Sequence, residues 1–232
     1  MLILGLTKTT LLDYPSKVAA TIFTGGCNFR CPFCHNGPFV INAANEDPIS
    51  KEEVMEHLVK RRNVLNGVCI TGGEPTIQAD LPDLIKEIKA LGYDIKLDTN
   101  GGNPGVLKKL IDEGLIDYVA MDIKNSMEKY IFTAKINGSL LDKVKESVEI
   151  LKAAPIPYEF RTTVVKPLHE REDFEKIAKW IEGAPNWYIQ SYKESKNVIS
   201  PGFASYTKEE ITDMLTGLSE KYGLNISLRG IE

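Results

Sequence analysis

From residue 18 onward the chain alternates two hydrophobic rhythms. Short, nearly continuous apolar runs rich in β-branched residues occupy 18–24, 67–71, 93–99, 116–123, 158–165, 187–191 and 225–228. Between them apolar residues recur at helical spacing: Val54, Leu58, Leu65; Leu84, Ile88, Leu91; Leu107, Leu110, Ile111; Val144, Val148, Leu151; and Phe174, Ile177, Ile181. Ser50 with Glu53, and Thr207 with Glu210, have the spacing of a capping box, in which hydroxyl and carboxylate satisfy the free amides of a helix start. The opening Met1-Leu2-Ile3-Leu4 reads as a further pairing strand.

Runs such as Asp117-Tyr-Val-Ala-Met-Asp-Ile123 are too evenly apolar for a sheet wetted on one face, and suit a parallel sheet covered by helices. Alternating strand and helix predict an α/β fold, open or closed into a barrel, with about six units against the eight of a complete barrel. No repeat, low-complexity tract or linker interrupts the pattern, so a single domain over residues 1–232 is expected. Residues 36–48 and 194–205 read as loops that could act as lids or face a partner.

Composition narrows the function classes. The chain has 232 residues, 43% apolar and 26% charged, with a formal charge of −4, which supplies no basic field for nucleic acid. No apolar run reaches the roughly 18 residues of a membrane span, and no signal peptide is recognisable, so a cytoplasmic protein is expected. In a reducing compartment clustered cysteines are metal ligands or catalysts more often than disulfide partners.

In parallel α/β folds, ligands collect at the carboxyl ends of the strands. Those ends carry Gly26-Cys-Asn-Phe-Arg-Cys-Pro-Phe-Cys-His-Asn36, Thr71-Gly-Gly-Glu-Pro-Thr76, Leu97-Asp-Thr-Asn-Gly101, Met121-Asp-Ile-Lys124 and Ile189-Gln-Ser-Tyr192. Cys27, Cys31 and Cys34 can present three thiolates to one centre. A structural zinc would require a fourth ligand, His35 or the remote Cys69. A 4Fe-4S cluster accepts three, leaving one iron open to a small molecule with an amine and a carboxylate.

CxxxCxxC with Phe33 before its last cysteine, followed by Gly72-Gly73-Glu74-Pro75, resembles the radical S-adenosylmethionine (SAM) superfamily. Leu11-Leu-Asp-Tyr-Pro-Ser16, Leu97-Asp-Thr-Asn-Gly101 and Asp122-Ile-Lys124 resemble its glycyl-radical-enzyme activases, in particular those of anaerobic ribonucleoside-triphosphate reductase. The resemblance spans nearly the whole chain and implies a partial (β/α)6 TIM-like barrel. It implies that Cys27, Cys31 and Cys34 ligate three irons of a 4Fe-4S cluster and that SAM chelates the fourth. By the same likeness Phe33 lies near adenine, Gly72, Gly73, Glu74 and Asp98 meet the methionyl end with Asn100 beside them, Asp122 meets the ribose, Lys124 the carboxylate, and Gln190 occupies the late ribose position. The implied reaction is reductive cleavage of SAM and abstraction of a glycine hydrogen on a glycyl radical enzyme. With only Cys69 outside the motif, electrons come from an external flavodoxin or ferredoxin.

Plainer readings stand beside these. Glu74, Asp98 and Asn100 sit in turn-forming company, and Asp122 with Lys124, two apart on a strand, could be a simple ion pair. Arg161 faces either the barrel interior or the surface. His35 reads as loop packing or a hydrogen bond near the cluster, His57 and His169 as exposed, and Trp180 and Trp187 as core. Alternatives for the whole chain are an activase of a pyruvate formate-lyase-like enzyme, a radical SAM enzyme acting on a small molecule as the deazaguanine-forming members do, and a non-catalytic metal-binding module.

Overall fold

A computed structural model describes residues 1–230. Eight strands form one sheet in chain order: β1 (Ile3–Thr10), β2 (Ala19–Thr24), β3 (Gly67–Gly72), β4 (Asp94–Thr99), β5 (Tyr118–Asp122), β6 (Tyr158–Val164), β7 (Trp187–Ser191) and β8 (Ile226–Arg229). β1 runs antiparallel to β2, and every later pair is parallel. Helices cover the strands between successive crossovers, which makes a partial barrel whose sheet ends in β1 and β8. The seven parallel strands are the seven apolar runs read from the sequence, and the last of them, at 225–228, joins the sheet beside β7.

The helical period buries most of the residues it selects, with Leu91, just past its helix, only partly buried. Val54 and Leu58 of helix Lys51–Arg61, Leu84 and Ile88 of Leu81–Ala90, Val144, Val148 and Leu151 of Gly138–Lys152, and Phe174 and Ile177 of Arg171–Trp180 are all buried against the sheet. Leu65 departs from the pattern: its helix ends at Arg61, and Leu65 packs from the following turn. Of the two expected capping boxes, Thr207 and Glu210 form the reciprocal pair, whereas Ser50 only accepts from Glu53 N (3.1 Å). A third box, Glu170 with Asp173, escapes the hydroxyl rule because a carboxylate takes the capping position. No helix among the described residues is long and apolar enough to cross a membrane.

The Leu11–Ser16 motif lies at the amino ends of the parallel strands, opposite the functional loops. Tyr14 tucks under the barrel at 4% exposure, its ring 5.9 Å from that of Tyr118. Gly67 makes room for it, since a Cβ there would come within 2.8 Å of the Tyr14 ring. The two expected loops pack at the other end of the barrel, beside the cysteine loop. The first is partly ordered as helix Gly37–Ile41, with Pro38 in its first turn, and a 3-10 turn at Ala43–Asn45. Gly37 N donates to Asn197 O (3.1 Å) in the second loop, which also reaches the cysteines through Ile199 N to Cys34 O (3.3 Å) and Ser200 N to Pro32 O (2.8 Å).

Candidate active site

The three clustered cysteines lie on the loop leaving β2, and its path is set by close backbone contacts. Gly26 adopts φ +81°, donates to Phe39 O (2.8 Å) and accepts from Glu74 N (2.8 Å). A Cβ on Gly73 would sit 1.8 Å from the Gly26 oxygen, and one on Gly72, at φ +113°, 2.3 Å from Thr24 N. The sequence reading explains these glycines by the approach of a ligand amine. The structure supplies a more immediate reason: backbone of β2 and of the cysteine loop already occupies the space a side chain would need. On the far side Arg30 N donates to Ala134 O (3.1 Å), so the loop is pinned at both ends.

Cys27, Cys31 and Cys34 line one cavity together with Phe33, Gly72, Gly73, Glu74, Asp98, Asn100, Asp122 and Lys124. Gln190 is not among its lining residues; from the neighbouring strands Arg161 and Thr163 are. Burial pushes the Cys27 thiol up to about 11 and the Cys31 thiol up to about 12, and raises Cys34. A cationic centre reverses that preference, because the thiolate is the ligating form.

Of the two candidate fourth ligands for zinc, His35 lines the same cavity and Cys69 does not. The His35 ring reaches the Lys193 carbonyl and lies 5.5 Å from the Tyr192 ring, which is loop packing. Cys69 is fully buried on the barrel interior, 3.8 Å from the Lys96 ammonium. Among the described residues no three His, Cys, Asp or Glu side chains converge on one metal ion. Three thiols spread around a cavity, with no fourth sulfur, fit a 4Fe-4S cluster with one open iron.

Beyond the thiols runs a buried chain of alternating charge. Lys96 pairs with Asp98, Arg161 Nη1 meets Asp98 Oδ2 (2.9 Å), Arg161 Nε meets Asp122 Oδ1 (2.9 Å), and Lys124 Nζ meets Asp122 Oδ2 (2.9 Å). Burial opposes ionisation of both carboxyls, but Arg161 with Lys96 or Lys124 outweighs it and holds Asp98 and Asp122 below the usual carboxylate range. Arg161 thus faces the interior, and the Asp122–Lys124 pair exists as part of a longer chain. Lys96, 2% exposed, is a member that sequence reasoning misses. A lysine within an apolar strand signals it only once the strand is known to face the barrel axis.

Glu74 lines the cavity but its oxygens are taken. Oε1 accepts from Thr76 N (3.1 Å) and the Thr99 hydroxyl (2.7 Å), and Oε2 accepts from Asn100 N (2.7 Å). It ties the β3 loop to the β4 loop, and burial raises its pKa against the pull of these donors. Phe33 is 3% exposed with its ring 6.5 Å from that of His169. His169 is expected to be exposed and is instead fully buried. Its Nδ1 accepts from Val165 N (3.2 Å), so Nε2 carries the proton and donates to Lys124 O (2.9 Å). Both ring nitrogens satisfy backbone groups, which explains burial of a residue ordinarily placed outside.

The motif geometry is matched by a family relation. Residues 21–181 match the model of the radical SAM superfamily. The chain belongs to the radical SAM superfamily. Its cofactors are accordingly a 4Fe-4S cluster and SAM. Among similar sequences, a Methanocaldococcus jannaschii protein named as a glycyl-radical enzyme activating enzyme is 32% identical over 99% of this chain and 96% of its own length. The pyruvate formate-lyase-activating enzyme of Listeria monocytogenes is 28% identical over 71% of this chain and 70% of its own. A protein named for GTP 3′,8-cyclase activity in Thermococcus kodakarensis is 31% identical over 66% of this chain and 50% of its own. The radical SAM fold also matches the structure of Streptococcus suis SuiB bound to S-adenosylmethionine, with TM-score 0.68 and 14% identity over 89% of this chain and 49% of that one.

Proposed function

We propose that this chain, as one radical SAM domain over residues 1–232, activates a glycyl radical enzyme, with anaerobic ribonucleoside-triphosphate reductase as the first candidate partner. The observation that carries the reading is the relation to the M. jannaschii activating enzyme along 99% of this chain. When bound, the cluster and SAM supply one-electron chemistry that ends in removal of a hydrogen atom from the partner's glycine. An external flavodoxin or ferredoxin supplies the electron, since the four cysteines of the sequence leave only Cys69 outside the motif.

The chain's own residues bind, orient and shield. Cys27, Cys31 and Cys34 hold the cluster. Asp98 and Asp122, ionised and aimed by Arg161, present acceptors to the methionyl amine and the ribose hydroxyls, and Lys124 presents a cation to the carboxylate. Gly72 and Gly73 offer backbone at the methionyl end, with Glu74 shaping the loop from below. Phe33 packs at the adenine, while Gln190, on β7 outside the cavity lining, contributes only if SAM extends past Thr163. Protein–ligand contacts of this kind act by holding reactants in place, so no acid–base group is assigned.

A second reading, action on a small molecule, draws on the match to the protein named for GTP 3′,8-cyclase activity, which covers half of that protein. Electron paramagnetic resonance separates the two. The anaerobically reconstituted protein is mixed with SAM, a reductant and a glycyl radical enzyme subunit. A glycyl doublet on that subunit supports activation; SAM cleavage with no doublet on either a reductase or a pyruvate formate-lyase subunit favours the small-molecule reading.

A further inference from the structure

Asn100 is expected, from its place in the Leu97–Gly101 run, to contact SAM. The structure turns its side chain toward the cysteine loop. Asn100 is 6% exposed, and its Oδ1 accepts from Gly102 N (2.8 Å), which settles which end of the amide is nitrogen. The Nδ2 group then donates to Asn28 Oδ1 (2.8 Å) and lies 3.6 Å from Cys27 Sγ. Cys27 Sγ receives a second N–H from Phe29 N at 3.3 Å. Among the described residues no side-chain donor reaches the sulfur of Cys31 or Cys34; the Cys31 contact is with the Ala134 carbonyl at 3.9 Å.

Donors aimed at cluster sulfurs stabilise the more negative, reduced state and raise the reduction potential. The backbone of Asn100 is anchored independently by Glu74, and a serine at this position keeps an oxygen that can accept from Gly102 N. The Nδ2 group carries two hydrogens, so it serves Asn28 Oδ1 and Cys27 Sγ together. We infer that Asn100 is a positioning residue for the cluster, whose side-chain amide hydrogen-bonds the Cys27 thiolate and raises the potential at which the cluster accepts its electron. This rests on Cys27 being a cluster ligand and is independent of the partner's identity.

The test is a redox titration of the anaerobically reconstituted full chain, followed by the reduced-cluster electron paramagnetic resonance signal, without SAM or partner. Asn100→Ser removes the reach to sulfur without adding charge, and Asn28→Ala removes the amide's other acceptor while leaving its reach to Cys27. At the potential where half of the wild-type cluster is reduced, most of the Asn100→Ser cluster should remain oxidised, and Asn28→Ala should be reduced to at least the wild-type extent. Wild-type midpoints in both variants would overturn the assignment, as would Asn28→Ala following Asn100→Ser downward, which would mark a merely structural effect of the loop. Iron content keeps the two readings apart: a Cys27→Ala protein that retains the wild-type cluster would sink the ligand assignment itself, whereas an unmoved potential in a Cys27-dependent cluster removes only the role of Asn100.

Discussion

Arg161 Nε lies 2.9 Å from Asp122 Oδ1, and its Nη1 lies 2.9 Å from Asp98 Oδ2, so one guanidinium from β6 holds two carboxylates brought by β4 and β5. Removing one partner of a buried pair leaves an uncompensated charge, at about 3–5 kcal/mol. Arg161→Met should therefore lower stability in chemical denaturation by an amount of that order. SAM binding, followed calorimetrically, should weaken at the same time. Unchanged SAM affinity in a folded Arg161→Met protein would remove Asp98 and Asp122 from the binding site.

The same pairs set the acid limb of stability. Both carboxyls are held below their ordinary value in the folded state. Their contribution is thus complete above the unfolded value of about 4 and is lost as pH falls toward the folded values. Thermal unfolding of the wild type should show this loss below about pH 4. In Arg161→Met the carboxyls lose their nearest cation, and the limb should flatten.

His169 acts in a higher window. Burial lowers its pKa and the neutral ring serves both Val165 N and Lys124 O. The unfolded chain takes up this proton first, so stability should fall as pH drops below about 6.5. His169→Gln should be less stable at neutral pH by about 1–3 kcal/mol, the cost of unsatisfied buried backbone groups, and should lack that slope. A wild-type slope retained in the variant would assign it to other groups.

Gly73 is a steric requirement of the cysteine loop. Gly73→Ala places a Cβ 1.8 Å from the Gly26 oxygen, whereas Gly105→Ala meets nothing within 4 Å. Iron bound after anaerobic reconstitution should fall sharply in the first and match the wild type in the second. Full iron loading of Gly73→Ala would show that the loop can move aside.

Single cysteine changes separate the cluster from the barrel interior. Cys27→Ala, Cys31→Ala and Cys34→Ala should each abolish SAM cleavage, measured as 5′-deoxyadenosine released. Cys69→Ala, buried beside Lys96 away from the other three, should leave it largely intact. Loss of cleavage in Cys69→Ala would reopen a four-cysteine centre.

Much of this molecule is legible in one dimension. Evenly apolar runs and helical period locate the parallel strands and the helices over them, because burial on both faces leaves no polar alternation. The CxxxCxxC spacing and the glycine-flanked polar loops mark the site, because parallel strands carry their ligands at one end. What the order of residues alone does not state is how the loops use one another. Glu74 is turned to the Thr76, Thr99 and Asn100 donors, Asn100 to Cys27, and His169 to the backbone of Lys124. Lys96 and Arg161 join Asp98 and Asp122 in a chain that crosses three strands. Apart from Glu74–Thr76 and Lys96–Asp98, which are neighbours on their own segments, these pairings link residues far apart in sequence, and they form because barrel closure removes water and obliges buried polar groups to find partners across the interior.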